Sequence, residues 1–164
     1  MKAKFVKLGM FTALAMALQW AETLIPVGFS VPGGKLGLAN IITMIVMQLF
    51  GGISALAVTV TRCLLSAFLY GGVMSLPYSL AGGVISLAVM KLVLKLHGAS
   101  LTGAAIAGAF AHNFGQVLVS CIIMQNIYII NYLWVLGFVS VGAGAFTGIC
   151  ASLCLKKTSL NEGG

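Results

Sequence analysis

Long apolar stretches with few charged residues run through almost the whole chain, and they constrain its fold more than any other feature. Hydrophobic residues make up 60% of the 164 residues and charged residues only 7%. A soluble domain of this size cannot hide so much apolar surface from water, whereas a lipid bilayer requires such helices. The sequence therefore predicts an all-α integral membrane protein, with one transmembrane domain at residues 1–157 and a polar C-terminal tail at residues 158–164.

Glycine, proline and lysine residues divide the apolar stretches into six predicted transmembrane helices. Their expected limits are Phe5–Ile25, Leu36–Phe50, Ile53–Tyr70, Tyr78–Leu96, Ser100–Met124 and Tyr128–Leu155. The second is short for a full crossing, so a re-entrant hairpin remains the alternative there. The first follows lysines, as a signal peptide does, but Gln19 and Glu22 continue it, which favours a retained span.

Lysines mark the helix ends on one side of the predicted bundle. With six crossings the same side carries Lys2, Lys4, Lys7, Lys91, Lys95, Lys156 and Lys157. Because lysine and arginine are retained on the cytoplasmic side of membrane proteins, we expect both termini in the cytoplasm and the protein in the cell membrane. The net charge of +7 then reflects topology. No basic stripe with interleaved aromatic residues predicts binding to nucleic acid.

Polar side chains gather in the half of the predicted bundle away from these lysines. Polar groups inside a membrane usually face a cavity or each other, so this clustering favours a pocket that opens to the outside. The candidate substrate-binding residues are Gln19, Glu22, Lys35, Asn40, Arg62, Ser66, Tyr70, Tyr78, His112, Asn113, Gln116 and Asn131. Lys35, Arg62 and His112 favour an anionic or acceptor-rich ligand. A pore is disfavoured because the polar residues stop halfway.

Structural roles compete with ligand binding at several of these positions. Arg62 and Glu22 can form an ion pair with each other. His112 can serve as a hydrogen-bonded contact between helices. The same role is open to three amide side chains, those of Asn40, Gln116 and Asn131.

Small residues predict close helix packing on two of the helices. Ala13, Ala17 and Ala21 recur every fourth residue of the first helix, on the side opposite Gln19 and Glu22. We expect this alanine series to dock on an external partner. The sixth helix carries a similar series, for which packing within the protein is favoured: Ser140, Gly144, Gly148 and Ser152.

The residues needed for catalysis are largely missing. Glu22 and Glu162 are the only acidic residues, so the sequence lacks paired carboxylates for acid–base chemistry or for magnesium-held diphosphates. It also lacks a phosphate-binding Gly-x-x-x-x-Gly-Lys loop. Cys150 and Cys154 share a helix face, but no histidine or second cysteine pair supplies the other ligands of a zinc site. We therefore expect a protein that is not an enzyme and has no metal or cofactor.

Three segments resemble the Gx transporter family, whose members are often labelled heptaprenyl diphosphate synthase component I. They are Pro32–Ile41, Gly82–Leu87 and His112–Gln116, and the resemblance extends over Lys2–Lys157. This family is similar to the substrate-binding S components of energy-coupling-factor (ECF) vitamin transporters. The resemblance implies six helices, both termini inside, an outward pocket, and docking through an Ala-x-x-x-Ala surface of the first helix. The implied partner is a shared membrane subunit driven by ATPases.

Residues and resemblance together predict a subunit that captures a small organic molecule from outside. Flavins, vitamins and isoprenoid or quinone precursors are all candidates. Ala13 and Ala17 stand where the docking surface is expected. The rival hypothesis is a non-catalytic membrane partner of a polyprenyl diphosphate synthase in quinone side-chain synthesis.

Overall fold

Six α-helices account for most of the chain in the computed structural model, which describes residues 2–24, 37–96 and 98–161. They are α1 (Lys2–Leu24), α2 (Leu38–Phe50), α3 (Gly52–Ser66), α4 (Ser75–Leu94), α5 (Leu101–Ile123) and α6 (Leu133–Asn161). A π-helical turn, Ala67–Gly71, prolongs α3, and a 3₁₀ helix, Ile127–Tyr132, precedes α6. Each predicted helix therefore corresponds to an observed one. The all-helical prediction is confirmed for the described ranges.

Four helical segments in the described ranges are long and apolar enough to cross a membrane: Gly52–Tyr70, Ser75–Leu94, Leu101–Ile123 and Ile127–Lys157. With 13 residues, α2 is about 20 Å long, which is less than the ~30 Å apolar thickness of a bilayer. In α1, lysines near one end and Glu22 near the other lower the apolar character. The chain is thus a multi-pass membrane protein, and six crossings stay a prediction.

The region around α6 departs most from the predicted limits. Gln125 adopts a positive φ of 48°, and the Asn126 side chain accepts a hydrogen bond from the Tyr128 amide at 2.9 Å. This turn starts a 3₁₀ helix before α6 instead of one continuous helix. At its other end α6 continues to Asn161, so part of the segment predicted as a polar tail is helical.

Glycines allow α4, α5 and α6 to pack closely. A Cβ atom at Gly144 would lie 2.5 Å from the Ile106 Cα, and one at Gly148 would lie 2.6 Å from the Thr102 Cα. Helices in lipid attract each other through such close van der Waals contact, because the surrounding tails are as apolar as the side chains. These two glycines of the sixth-helix series therefore pack within this protein, against α5.

One face of α1 packs on its neighbours and another stays exposed. Ala15 is buried, and Phe11 packs edge-to-face on Phe50 of α2 with ring centroids 5.9 Å apart. Ala13 and Ala17 are exposed, whereas Ala21 is half-buried. We call the surface formed by Ala13 and Ala17 the alanine face.

Candidate ligand-binding site

A cavity lies inside the bundle, and all six helices contribute side chains to its wall. Its space amounts to about 40 Å³, enough for a few water molecules. The polar lining residues are Gln19, Glu22, Asn40, Arg62, Ser79, His112, Asn113, Gln116, Ser140 and Thr147. Small residues complete the wall: Gly37, Ala39, Ala109 and Ala143. The bundle thus encloses a polar space within apolar helices.

The cavity lies away from the α2–α3 turn, because α1 contributes near its end and α2 near its start. A Cβ atom at Gly52, in that turn, would lie 3.2 Å from the Lys91 side chain of α4. We call the end of the bundle with Gly52 and Lys91 the lysine end. The polar cavity therefore occupies the opposite half, as the sequence predicted relative to its lysines.

Seven of the twelve predicted site residues line this cavity: Gln19, Glu22, Asn40, Arg62, His112, Asn113 and Gln116. They come from α1, α2, α3 and α5. The structure thus brings together residues that lie almost a hundred positions apart in the sequence. Their role in binding a substrate stays a prediction.

Four of the other predicted residues lie away from the cavity wall. The Ser66 hydroxyl donates to the Cys63 carbonyl at 3.2 Å, and the Tyr70 hydroxyl donates to the Met16 carbonyl at 3.4 Å. The Tyr70 side chain also interacts with the Ser66 side chain and with the Arg62 charge, so it lies near the cavity although it is not part of its wall. The remaining two are the half-buried Tyr78 and the exposed Asn131.

The fifth of these residues, Lys35, lies outside the described residues.

Arg62 is the buried cation of the cavity wall. Its side chain is only 5% exposed, and Nη1 donates to the Gln19 Oε1 at 2.5 Å. Its Nε is buried and has no hydrogen-bond partner within the part of the chain that the structure describes. The Glu22 Oε1 accepts instead from the Gly37 amide, at 2.8 Å. The two charged side chains therefore bind different groups, and the predicted alternative of an Arg62–Glu22 ion pair is not what these contacts show.

Asn113 closes the wall between α5 and α6. Its Nδ2 donates to the Ser140 Oγ at 2.8 Å, and the Ser140 hydroxyl donates to the Leu136 carbonyl at 2.6 Å. Sequence reasoning placed Ser140 in a packing series and did not assign Thr147 to the site. Both face the cavity because positions seven apart share one side of a helix. The spacing of Ser140, Ala143 and Thr147 along one side of α6 could have indicated that all three line the cavity.

Two glycines of α4 make room for the site. A Cβ atom at Gly82 would lie 3.0 Å from the His112 Nε2 and 2.9 Å from the His112 carbonyl oxygen. One at Gly83 would lie 2.7 Å from the Thr59 Cγ2 and 4.0 Å from the Arg62 Nη2. Because glycine has no Cβ atom, α4 can lie close to His112 and Arg62 at these positions. The Gly82–Leu87 segment singled out in the sequence therefore packs against two residues of the cavity wall, His112 and Arg62.

A known protein family matches most of the chain. The family described as heptaprenyl diphosphate synthase component I matches residues 11–154, which span most of α1 and all the helices up to α6. This confirms the family resemblance seen in the sequence. No curated protein and no solved structure matches the chain.

Proposed function

Because the chain belongs to the heptaprenyl diphosphate synthase component I family, we propose that it is the substrate-capture subunit of an ECF-type importer, similar to an S component. It binds a small organic molecule from outside the cell membrane and presents it to a membrane coupling subunit driven by ATPases. The observation that carries this proposal is the polar cavity lined by all six helices. Polar side chains at membrane depth are costly, and they commonly mark substrate pathways.

The cavity must widen to hold an organic molecule. Its space of about 40 Å³ suits a few water molecules, so ligand binding draws on a more open conformation. A ligand that binds the open form better shifts the population toward it.

The alanine face supports a docking role for α1. Ala13 and Ala17 are exposed, and the large apolar side chains of Met10 and Leu14 beside them are 68% and 48% exposed. Small residues flanked by larger ones let a second helix approach closely. The proposed occupant is a helix of the coupling subunit.

The first test is mass spectrometry of small molecules extracted from the protein after gentle purification from its own membranes. We expect one compound in stoichiometric amount, retained by the wild type and lost from His112→Ala, whose substitution changes the cavity wall. The matched control is Phe138→Ala, which alters an exposed side chain of α6. An empty wild type, or equal retention by both variants, would contradict the capture function.

The docking role has its own test. Ala17→Leu fills the alanine face, so we expect it to abolish co-purification with the coupling subunit while the retained compound and the folded state are unchanged. Val84→Leu, at an exposed position of α4, is the control that keeps assembly. Normal assembly of Ala17→Leu would show that this face is not the docking surface.

A second candidate function rests on the family description itself, which names a prenyl synthase component. In that case the protein holds a polyprenyl diphosphate synthase against the membrane and takes no part in its chemistry. A pull-down from native membranes distinguishes the two functions. Recovery of a soluble synthase with an otherwise empty protein favours this anchoring role, and recovery of ATPases favours capture.

A further inference from the structure

The guanidinium of Arg62 has one edge engaged and one edge available. Nη1 donates a hydrogen bond to the Gln19 side chain. Among the described residues, Gln19 is the partner of the guanidinium. Nε is buried and has no partner among them. The free edge is therefore the one formed by Nε and Nη2. A buried donor that lacks a partner costs free energy, so this edge is suited to a ligand.

That edge has the geometry for two parallel hydrogen bonds. Nε and Nη2 of an arginine match the two oxygens of a carboxylate, and such paired, charge-assisted bonds are stronger than neutral ones. The Cβ position of Gly83 lies 4.0 Å from Nη2, so α4 packs beside this edge without a side chain at that position. Gln19 holds the opposite edge, which fixes the orientation of the guanidinium plane. Gln19 is thus a positioning residue for Arg62.

The charges of the cavity favour one negative charge on the ligand. Among the described lining residues Arg62 is the one permanently charged cation, and Glu22 is the one acidic residue. Glu22 is directed to the Gly37 amide and leaves Arg62 uncompensated. A diphosphate carries several charges and is usually held by several cations or by Mg²⁺. One guanidinium instead balances one carboxylate.

From these observations we propose that the captured molecule carries a single carboxylate, bound side-on by Nε and Nη2 of Arg62. The proposal rests on the proposed capture function and names its substrate class. It separates acids from prenyl diphosphates, which would present more charge than the described residues of this wall neutralise. Arg62 touches the ligand, and Gln19 acts through Arg62.

The test uses formate as the probe, because formate is small enough for a space of about 40 Å³. The full chain is purified in a neutral detergent, and its thermal unfolding is followed at constant ionic strength with formate replacing chloride. We expect a saturable rise in the melting temperature of the wild type. Parallel titrations use inorganic phosphate and pyrophosphate, for which we expect weaker effects.

Variants of Arg62 and Gln19 test whether formate binds at the guanidinium. Arg62→Gln removes the charge, and Arg62→Lys keeps the charge but removes the paired donors, so both are expected to raise the apparent Kd for formate by about tenfold or more. Gln19→Ala is expected to raise it less. Gln19→Glu keeps an acceptor for Nη1 but places a negative charge beside the guanidinium, so it is expected to raise the Kd more than Gln19→Ala does. Lys91→Gln, at the lysine end of the bundle, is the control with unchanged binding.

Several outcomes would overturn the proposal. They are the absence of a saturable shift in the wild type, an equal shift in Arg62→Gln, and tighter binding of pyrophosphate than of formate. The capture function is tested separately, by the compound that the purified protein retains. If that compound lacks a carboxylate and survives Arg62→Gln, capture stands and the carboxylate inference fails. If formate binds through Arg62 but no compound is retained, the carboxylate site stands and capture fails.

Discussion

Hydrogen bonds between side chains offset the cost of burying polar groups in this protein. Thr43 and Thr59 join α2 and α3 with their hydroxyl oxygens 3.5 Å apart, and Asn113 joins Ser140 at 2.8 Å. All four side chains are buried. In lipid, such bonds between helices replace the hydrogen bonds that these side chains would otherwise form with water. At the level of single residues, polarity therefore serves both the fold and the cavity.

The Asn113–Ser140 bond leads to a prediction about stability. We expect Asn113→Ala and Ser140→Ala each to lower the free energy of unfolding, because each removes the bond between α5 and α6. Ser140→Ala also leaves the buried Asn113 amide without that acceptor. In a double-mutant cycle the coupling is expected to be about 0.6–1 kcal/mol. Unfolding in mixed detergent micelles measures it.

The control cycle pairs Asn113 with Ser152, a serine of the same helix whose hydroxyl donates to the Ile149 carbonyl at 2.8 Å. That pair is expected to show no coupling. Equal coupling in both cycles would mean that the Asn113–Ser140 bond contributes nothing specific.

The sequence predicted some site residues better than others, for physical reasons. Gln19, Glu22 and Arg62 stand out because charged or amide groups in an apolar helix are costly and need a partner or a cavity. Ser140 and Thr147 bond to carbonyls of their own helix, so their polarity gives little signal. Tyr70 donates to the Met16 carbonyl, outside the cavity wall, and the π-helical turn that carries it gives no signal in the sequence.

At the scale of helices, glycine positions decide how closely α5 and α6 approach. The Gly144 Cβ position lies 2.5 Å from the Ile106 Cα, whereas the Gly142 position has nothing within 4 Å. The two glycines lie two residues apart on α6 and so point to different sides. The same substitution at Gly142 and at Gly144 therefore compares an open position with a tightly packed one in the same helix.

We expect Gly144→Ala to destabilise the protein by about 1–3 kcal/mol, the usual range for overpacking, because the clash is with backbone that cannot rotate away. Gly142→Ala is expected to leave stability unchanged or raise it by up to about 1 kcal/mol, since alanine is the better helix former. Thermal unfolding in detergent compares the two variants. Equal melting temperatures would show that α6 does not rely on this contact.

Helix limits were predictable where length and hydrophobicity decide them. The break between α5 and α6 was predicted between Met124 and Tyr128, where Gln125 takes a positive φ of 48°. The 3₁₀ helix over Ile127–Tyr132 was not predicted, because hydrophobicity alone does not distinguish a 3₁₀ helix from an α-helix. The number of crossings is also undecided by composition, since α2 has only 13 residues.

The whole bundle is asymmetric along its long axis, with a polar cavity in one half and lysines at the far end. The α2–α3 turn lies beside Lys91, near the end of α4. If both lie at the cytoplasmic surface, the cavity opens toward the outside, where a capture subunit needs it. The orientation follows from the preference of lysine for the cytoplasmic side.

Cysteine labelling tests this orientation in a variant whose Cys63, Cys121, Cys150 and Cys154 are replaced by alanine. Single cysteines are then placed at the exposed positions Lys4, Met74 and Lys95. With six crossings we expect a membrane-impermeant thiol reagent to label Met74→Cys in intact cells, and Lys4→Cys and Lys95→Cys only after permeabilisation. If α2 is re-entrant, five crossings place Lys4 and Lys95 on opposite sides. Labelling of one of them but not the other in intact cells would therefore contradict six crossings, and labelling of both would reverse the predicted orientation.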